Sequence, residues 1–201
     1  MKLRLPPTVR TEDVVVESGA VDYVPCRLLD IGRLVHDDRG VSRSGDDGFL
    51  RARHGGPGHD HMTGSVSDDV MHGGAGNDFF NARTGNDVLF GDTGDDNMNG
   101  GTGIDVLHGG PGADFVKGQG STGDSLTGGP GNDTLDGGSG TDFLIEAGNV
   151  NFTLTTVSLT GMGHDTIVDI ENASLNTGKT DNRVDTSAFL GGVTINLSGG
   201  D

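Results

Sequence analysis

The sequence has few of the side chains that ordinarily fill a globular core. Tryptophan is absent from its 201 residues and tyrosine occurs once, whereas glycine occurs 38 times. The single cysteine, Cys26, has no partner for an internal disulfide, and we expect a small buried or idle thiol there. Little material therefore remains for a conventional core.

Long apolar runs and two common catalytic motifs are missing as well. No stretch approaches the roughly 20 apolar residues of a membrane-spanning helix, so no transmembrane segment is predicted. No apolar stretch follows the first residues, 1–7, and we expect no N-terminal secretory signal. The sequence contains neither His-Glu-x-x-His nor Gly-x-Ser-x-Gly, which argues against metalloprotease and lipase chemistry.

Positive charge is scarce beyond the first quarter of the chain. Residues 1–54 have nine basic and nine acidic side chains, whereas 55–145 have only Arg83 and Lys117 against fourteen Asp. Residues 146–201 add a net charge of -5. This balance argues against a nucleic-acid partner, because phosphates require a basic surface. Acidic runs are commonly solvated faces or tails, but here the acids recur at a fixed interval, which favours a bound cation.

The sequence has instead a nine-residue repeat in ten copies. Each unit is opened by Gly, or once by Ala82, and has Asp at position six and an apolar residue at position eight. One inserted residue lies between Asp114 and Asp124. The apolar residues are Met62, Met71, Phe80, Leu89, Met98, Leu107, Val116, Leu126, Leu135 and Leu144. The opening residue, the aspartate and the apolar residue keep one register over ten units, which excludes a chance arrangement.

The clearest copies are GGAGND at 73–78, GGPGAD at 109–114 and GGPGND at 128–133. They resemble the nonapeptide GGxGxDxUx, with U apolar, of the RTX (repeats-in-toxin) family. The resemblance implies an all-β fold, a right-handed parallel β-roll or β-helix. It also implies calcium ions held between adjacent coils by Asp carboxylates and turn carbonyls.

The residues themselves support the same architecture. Glycine reaches positive φ without steric cost, so the glycine-rich hexamer can form a tight turn. The triplet after it alternates like a strand, with its apolar middle residue pointing inward. Two nonapeptides then make one coil of 18 residues, and stacking aligns alternate repeats. The first column of turns has Asp60, Asp78, Asp96, Asp114 and Asp133, and the second column has Asp69, Asp87, Asp105, Asp124 and Asp142.

Stacked carboxylates call for a cation. At the strand spacing of about 4.8 Å, two carboxylates repel by roughly 1 kcal/mol in water and about 3–4 kcal/mol at an effective dielectric near 20. Calcium accepts 6–8 oxygens in flexible geometry, whereas magnesium demands a stricter octahedron. The four gaps in each column allow at most about eight ions. The predicted ligands are the ten Asp of the two columns and the carbonyl groups of Gly56, Gly58, Gly74, Gly76, Gly94, Gly101, Gly103, Gly110, Gly112, Gly129, Gly131, Gly138 and Gly140.

The second column departs most from the repeat, and we expect weaker or empty sites there. The segment 64–69 lacks the glycine at position four, 82–85 lacks the first glycine pair, and 118–124 carries the insertion. His54, His59, His61 and His72 could suggest zinc, but at these repeat positions we expect side chains that face solvent. Two outward rows at position seven, Val70, Val88 and Val106 on one face and Phe79 and Phe115 on the other, could bind a partner. We attribute both rows to β propensity.

Three regions are expected. Residues 1–54 form an N-terminal cap or a poorly ordered segment, 55–145 form the calcium-binding β-roll, and 146–201 extend it with longer coils. The last segment, 146–201, resembles the β segments that interrupt RTX arrays, and we expect a truncated product or one module of a larger parent protein.

The functional hypothesis is a non-enzymatic module that binds calcium and folds upon binding it. The resemblance implies a bacterial secreted or cell-surface protein exported by type I secretion. The first alternative is an accessory module of a secreted protease, lipase or alginate epimerase. The second is a calcium-dependent adhesin with a cell-surface or glycan partner. A catalytic domain would support the first alternative, and glycan binding in calcium would support the second.

Overall fold

The computed structural model describes residues 51–120, 122–179 and 182–196, in which all helix-or-strand structure is β-strand. Predictions for 1–50, including Cys26, and for the last five residues lie outside this description. The strands stack as parallel coils of about 18 residues, which confirms the predicted right-handed β-roll.

Successive strands of the repeat alternate between two sheets. Sheet A begins with β1 (Arg51–Pro57), β3 (Asp69–Ala75), β5 (Val88–Thr93), β7 (Val106–His108), β9 (Ser125–Thr127) and β11 (Phe143–Ala147). Sheet B begins with β2 (His61–Thr63), β4 (Phe79–Asn81), β6 (Asn97–Gly101), β8 (Phe115–Gln119) and β10 (Thr134–Gly138). Met71 in β3 pairs with Leu89 in β5, so the register is 18 residues.

The core is one row of side chains between the sheets. All ten apolar residues predicted to face inward are buried, with no more than 1% of any of them exposed. Their neighbours at positions seven and nine are more exposed, as the alternation of a strand requires. Each coil of the repeat therefore contributes two core side chains.

A cationic residue occupies the inward position of the first described strand. Arg53 pairs in register with Met71, so it takes the place of an apolar residue at the end of the row. Its guanidinium donates to the Thr63 carbonyl and lies 4.0 Å from Asp69 Oδ1.

Beyond the repeat both sheets continue. The added strands are β12 (Phe152–Thr155), β13 (Ser158–Thr160), β14 (His164–Val168), β15 (Asn172–Asn176), β16 (Val184–Ala188) and β17 (Gly192–Asn196). In sheet A, β15 and β17 stack in parallel on β11. In sheet B, β14 stacks on β10, but β13 is antiparallel to both β14 and β12.

The antiparallel strand is a feature that the expectation of longer coils missed. Residues 147–162 lie between the start of one turn and its end. These sixteen residues are more chain than a tight turn can contain. They fold back as an excursion, defined here as 147–162, that widens sheet B. Phe152, Leu154 and Leu159 of this excursion are buried and prolong the core.

Candidate metal site in the stacked turns

The aspartates of each column form a hydrogen-bonded ladder, called here the carboxylate ladder. The backbone N–H of each Asp donates to Oδ1 of the Asp one coil later, as Asp60 does to Asp78 and Asp69 does to Asp87. The eight such bonds within the ten predicted aspartates measure 2.6–2.9 Å. The two columns predicted from the register are therefore present, with each side chain fixed by the coil before it.

The second oxygen of these carboxylates is buried without a hydrogen bond from the described residues. This holds for Oδ2 of Asp78, Asp87, Asp96, Asp105, Asp114, Asp124, Asp133 and Asp142. A buried carboxylate oxygen without a donor costs folding free energy. Eight repetitions of such an oxygen along two columns indicate a missing positive partner.

Oxygens from two coils converge at the opening glycine of a turn. A Cβ built on Gly73 would lie 2.2 Å from Asp78 Oδ2 and 2.6 Å from the carbonyl oxygen of Gly91, one coil later. The equivalent pair one coil later, Asp96 Oδ2 and the Gly109 carbonyl oxygen, crowds Gly91 at 2.3 Å and 2.5 Å. Only glycine leaves this space, and the oxygen-only surroundings suit a hard cation such as calcium.

Position two has a left-handed backbone in every turn of the repeat except 64–69. Gly74 has φ of 107°, and its missing Cβ would lie 2.2 Å from the Gly56 carbonyl oxygen. Three turns place other residues in this region: Arg83 at 78°, Asp92 at 70° and Gln119 at 70°. A residue with a Cβ is strained there by roughly 1–2 kcal/mol.

Burial raises the pKa of eight column aspartates, from Asp78 in the first column and Asp87 in the second onward. Desolvation is the largest cause, and it raises the pKa of Asp87, Asp114 and Asp124 to about 7. It raises the pKa of Asp96 and Asp133 to about 6. Neighbouring carboxylates raise these pKa values further, while the donated backbone N–H opposes the rise. Without a cation, the stacked turns therefore disfavour ionised carboxylates.

A second set of side-chain bonds runs outside the carboxylate ladder in the opposite direction. At position five, Asn77 Oδ1 accepts the N–H of Asp95, 3.1 Å away and one coil later. Asp95 Oδ1 accepts from Ala113 N–H at 2.8 Å, and Asn86 Oδ1 accepts from Ile104 N–H at 2.8 Å. Successive turns are thus bonded from both sides.

The predicted irregularities of the second column differ in their structural outcome. In the turn 64–69, Asp69 Oδ2 accepts the N–H of its own neighbour Ser65 at 2.6 Å, so that oxygen is already bonded. Across the insertion, by contrast, Asp105 N–H still donates to Asp124 Oδ1 at 2.9 Å. The inserted residue is therefore absorbed in the turn without breaking the ladder.

Three acidic residues that the repeat pattern did not identify continue the columns. Asp165 Oδ1 accepts from Asp133 N–H at 3.1 Å, and Glu171 Oε2 accepts from Asp142 N–H at 2.8 Å. Glu146 lies at position one of the next turn, above Gly128. The sequence around Asp165, Gly163-His164-Asp165, retains the last three positions of the glycine-rich hexamer, a signal that could have revealed it.

The histidines do not form a zinc site in the described residues. The rings of His54 and His72 stack with centroids 4.8 Å apart and nearly parallel planes. His72 in turn stacks on Phe90, which stacks on His108. No three His, Cys, Asp or Glu side chains in the described ranges are arranged to hold a metal by themselves. Cation sites in the turns therefore require carbonyl oxygens as well.

Comparison with known proteins identifies the repeat. A family model described as RTX calcium-binding nonapeptide repeat (4 copies) matches residues 54–89, 90–122 and 119–145. No curated protein and no solved structure matches the chain. Within the described ranges, no helix is long and apolar enough to cross a membrane. Residues 54–145 therefore match the RTX calcium-binding nonapeptide repeat, which assigns this part of the chain to that type of repeat.

Proposed function

We propose that the stacked turns of both columns hold calcium ions between successive coils, and that the array folds when it binds them. The observation that carries this proposal is the buried Oδ2 of eight aspartates, each without a described hydrogen-bond donor. RTX repeats are calcium-binding structural modules, and the geometry agrees with that chemistry.

The ligands proposed for each gap are an Asp carboxylate and turn carbonyls from two adjacent coils. Asp78 Oδ2 and the Gly91 carbonyl, which meet at Gly73, exemplify the pair. Carbonyls of the predicted turn glycines would bring the number of oxygens toward the 6–8 that calcium prefers. The regular gaps number at most eight. The gap next to Asp69 has the weakest claim, because Asp69 Oδ2 accepts the Ser65 N–H and Asp69 Oδ1 already lies 4.0 Å from the Arg53 guanidinium.

Coupling between binding and folding follows from the composition and from the charge. Leu, Ile, Val and Phe make up about 19% of 55–145, which is typical of chains that remain disordered alone. Folding without calcium would also bury carboxylates whose ionisation is unfavourable there. A bound cation removes this penalty, so its binding free energy becomes folding free energy.

A calorimetric calcium titration tests the binding. We expect four to seven ions per chain, and a value near zero would contradict the proposal. Circular dichroism with and without excess chelator tests the coupling. We expect loss of the β spectrum in chelator, and an unchanged spectrum would rule the coupling out.

A matched pair of variants tests the ligands. Asp96→Asn removes a buried column carboxylate, whereas Asp95→Asn changes the adjacent exposed side chain at position five. We expect fewer bound ions only in the first variant. Equal stoichiometry in both variants would contradict the ligand assignment.

The proposed setting is a secreted or surface-exposed module of a bacterial protein, folding where calcium is plentiful. This inference depends on the family, whose repeats are typical of secreted proteins. An adhesive role has one supporting observation, since Phe79 and Phe115 on sheet B are 39% and 41% exposed. A glycan-binding screen in calcium, with Phe115→Ser as comparison, would separate adhesion from a purely structural role.

A further inference from the structure

Glu146 stands where the repeat requires an opening glycine, and it lies beyond the matched residues 54–145. It is near the end of β11, where Glu146 pairs with Leu175. Its side chain is almost completely buried, with 1% exposed. Burial of a carboxylate at this level requires a hydrogen-bonding or charged partner.

One oxygen of Glu146 takes the place of a backbone carbonyl as the hydrogen-bond acceptor for the turn below. Glu146 Oε1 accepts the N–H groups of Gly128 and Gly129, at 2.6 Å and 3.2 Å. One coil earlier, the corresponding Gly110 N–H donates to the backbone carbonyl of Gly128. The side chain therefore covers the turn 128–133 from above, as the next turn would do.

The other oxygen, Glu146 Oε2, is buried and accepts no hydrogen bond from the described residues. Asp133 Oδ2 is in the same condition, and it lies 2.5 Å from the position of a Cβ built on Gly128. Both carboxyl groups thus converge on Gly128. The nearby charges that act on Glu146 are Asp165 and Asp133, both negative.

The turn above 128–133 is split in two. It opens at Glu146 and, after the excursion 147–162, closes at Asp165, which accepts the N–H of Asp133. Asn132 Oδ1 accepts the N–H of His164, so the position-five bond is also present, at 2.9 Å. Both ends of this split turn therefore stack on the regular turn below.

We propose that Glu146, Asp133 and the carbonyls of the turn 128–133 form an additional calcium site, closed by Asp165, at the end of the first column. This site rests on the proposed function, because it completes a column of calcium-binding turns. It differs from the regular gaps in taking a glutamate carboxylate in place of turn carbonyls. An ion there would join the two ends of the excursion.

The equivalent end of the second column has no buried acidic side chain at position one. There Asp142 Oδ2 and the Asp169 carbonyl oxygen meet at Gly137, 2.7 Å and 2.2 Å from a Cβ built on it, as in a regular gap. Glu171 continues that ladder, but its side chain is exposed to solvent. Three residues, 169–171, separate β14 from β15, which leaves few carbonyls for an ion. The additional site is therefore assigned to the first column alone.

The experiment compares calcium stoichiometry in the full chain by calorimetry for the unaltered protein, Glu146→Gln and Asp185→Asn. Glutamine keeps an acceptor for Gly128 N–H but presents N–H donors where Oε2 was. Asp185 is a partly exposed carboxylate bonded to Ser187, outside both columns. We expect Glu146→Gln to bind one ion fewer, and Asp185→Asn to bind the full number.

The outcomes separate the two proposals. An unaltered protein that binds no calcium contradicts the proposed function itself. Calcium binding with the same stoichiometry in Glu146→Gln overturns only the additional site. If circular dichroism in calcium shows that Glu146→Gln has not folded, Asp165→Asn decides, since its amide oxygen can still accept from Asp133 N–H. A folded Asp165→Asn variant must show a weakened or lost ion, and unchanged binding overturns the site.

Discussion

The two columns have the same carboxylate ladder but different turns beneath it. In the first column, position two is glycine except at Asp92, whereas three of the five turns in the second column have Ser65, Arg83 and Gln119 there. Nevertheless, the ladder bonds have similar lengths in both columns. The comparison indicates that aspartate spacing sets the stacking, while the residue at position two determines whether a turn carries backbone strain.

Loss of one central carboxylate should have the largest effect and should reveal whether the columns are energetically equal. We expect Asp96→Asn to reduce the calcium-dependent stability by about 2.7 kcal/mol per lost ion, at free calcium 100 times Kd. Asp87→Asn, next to the irregular turn 64–69, should lose less. Urea unfolding in calcium measures both. Equal losses would show that the irregular turn binds as well as a regular one.

The pH dependence without calcium should be the next largest effect. Folding raises the pKa of Asp87, Asp114 and Asp124 to about 7 from an ordinary value near 3.8. Below that ordinary value both states are protonated. As pH rises toward 7, the unfolded chain loses protons that the folded chain retains, so stability falls. In chelator, the β-structure content should therefore increase as the pH is lowered from 8 to 5.

Calcium should reverse this dependence because it binds the ionised carboxylates. Calcium binding at pH 6 should release more protons than binding at pH 8, which titration in buffers of different ionisation enthalpy would measure. Equal proton release at both pH values, from a chain whose circular dichroism shows β structure at pH 6 before calcium is added, would contradict the upward pKa shifts.

Relief of backbone strain should have an intermediate effect and bring the columns closer together. Gln119→Gly removes a Cβ from a residue at φ of 70° and should stabilise the calcium-bound fold by about 1 kcal/mol. Asp92→Gly makes the same change in the first column. Thermal unfolding in calcium would show both gains. A loss of stability in Gln119→Gly would mean that its side-chain contacts outweigh the strain.

The outer bonds at position five should have the smallest effect. Asn77→Ala removes the acceptor for Asp95 N–H on an exposed edge, where water can replace it, and should cost about 0.5 kcal/mol. The structure provides a natural reference, because Ala113 already occupies position five in the first column. A change in calcium stoichiometry in Asn77→Ala would show that this position contributes to the ions as well.

The sequence predicted the regular part of the fold well because three separate signals shared one period. Met71, Leu89 and Leu107 marked the inward face, and each is buried in the expected register. The antiparallel β13 was not predicted, since Ser158–Thr160 has only three residues and no turn signal distinguishes its direction.

The alignment of the carboxylate ladder could be predicted from the sequence, but the acidic residues at the ends of the two columns could not. Asp spacing predicted which carboxylates align, but not that one oxygen would accept a backbone N–H while the other stays buried. Asp165 and Glu171 were missed because stacking brings them into the columns across 32 and 29 residues, whereas Glu146 keeps the 18-residue register but stands at position one, where no acidic residue was expected. Only the folded chain shows these alignments.

The register of 18 residues limits the steps in which the stack of coils can change in length. Every ladder bond within the regular coils joins a residue to one in the same column, a full coil away. A deletion of nine residues would exchange the columns for all later turns and place strands of sheet A in sheet B. A deletion of eighteen residues would leave every later turn in its own column and every later strand in its own sheet. The rod is therefore built to gain or lose whole coils, and its possible lengths form a discrete series.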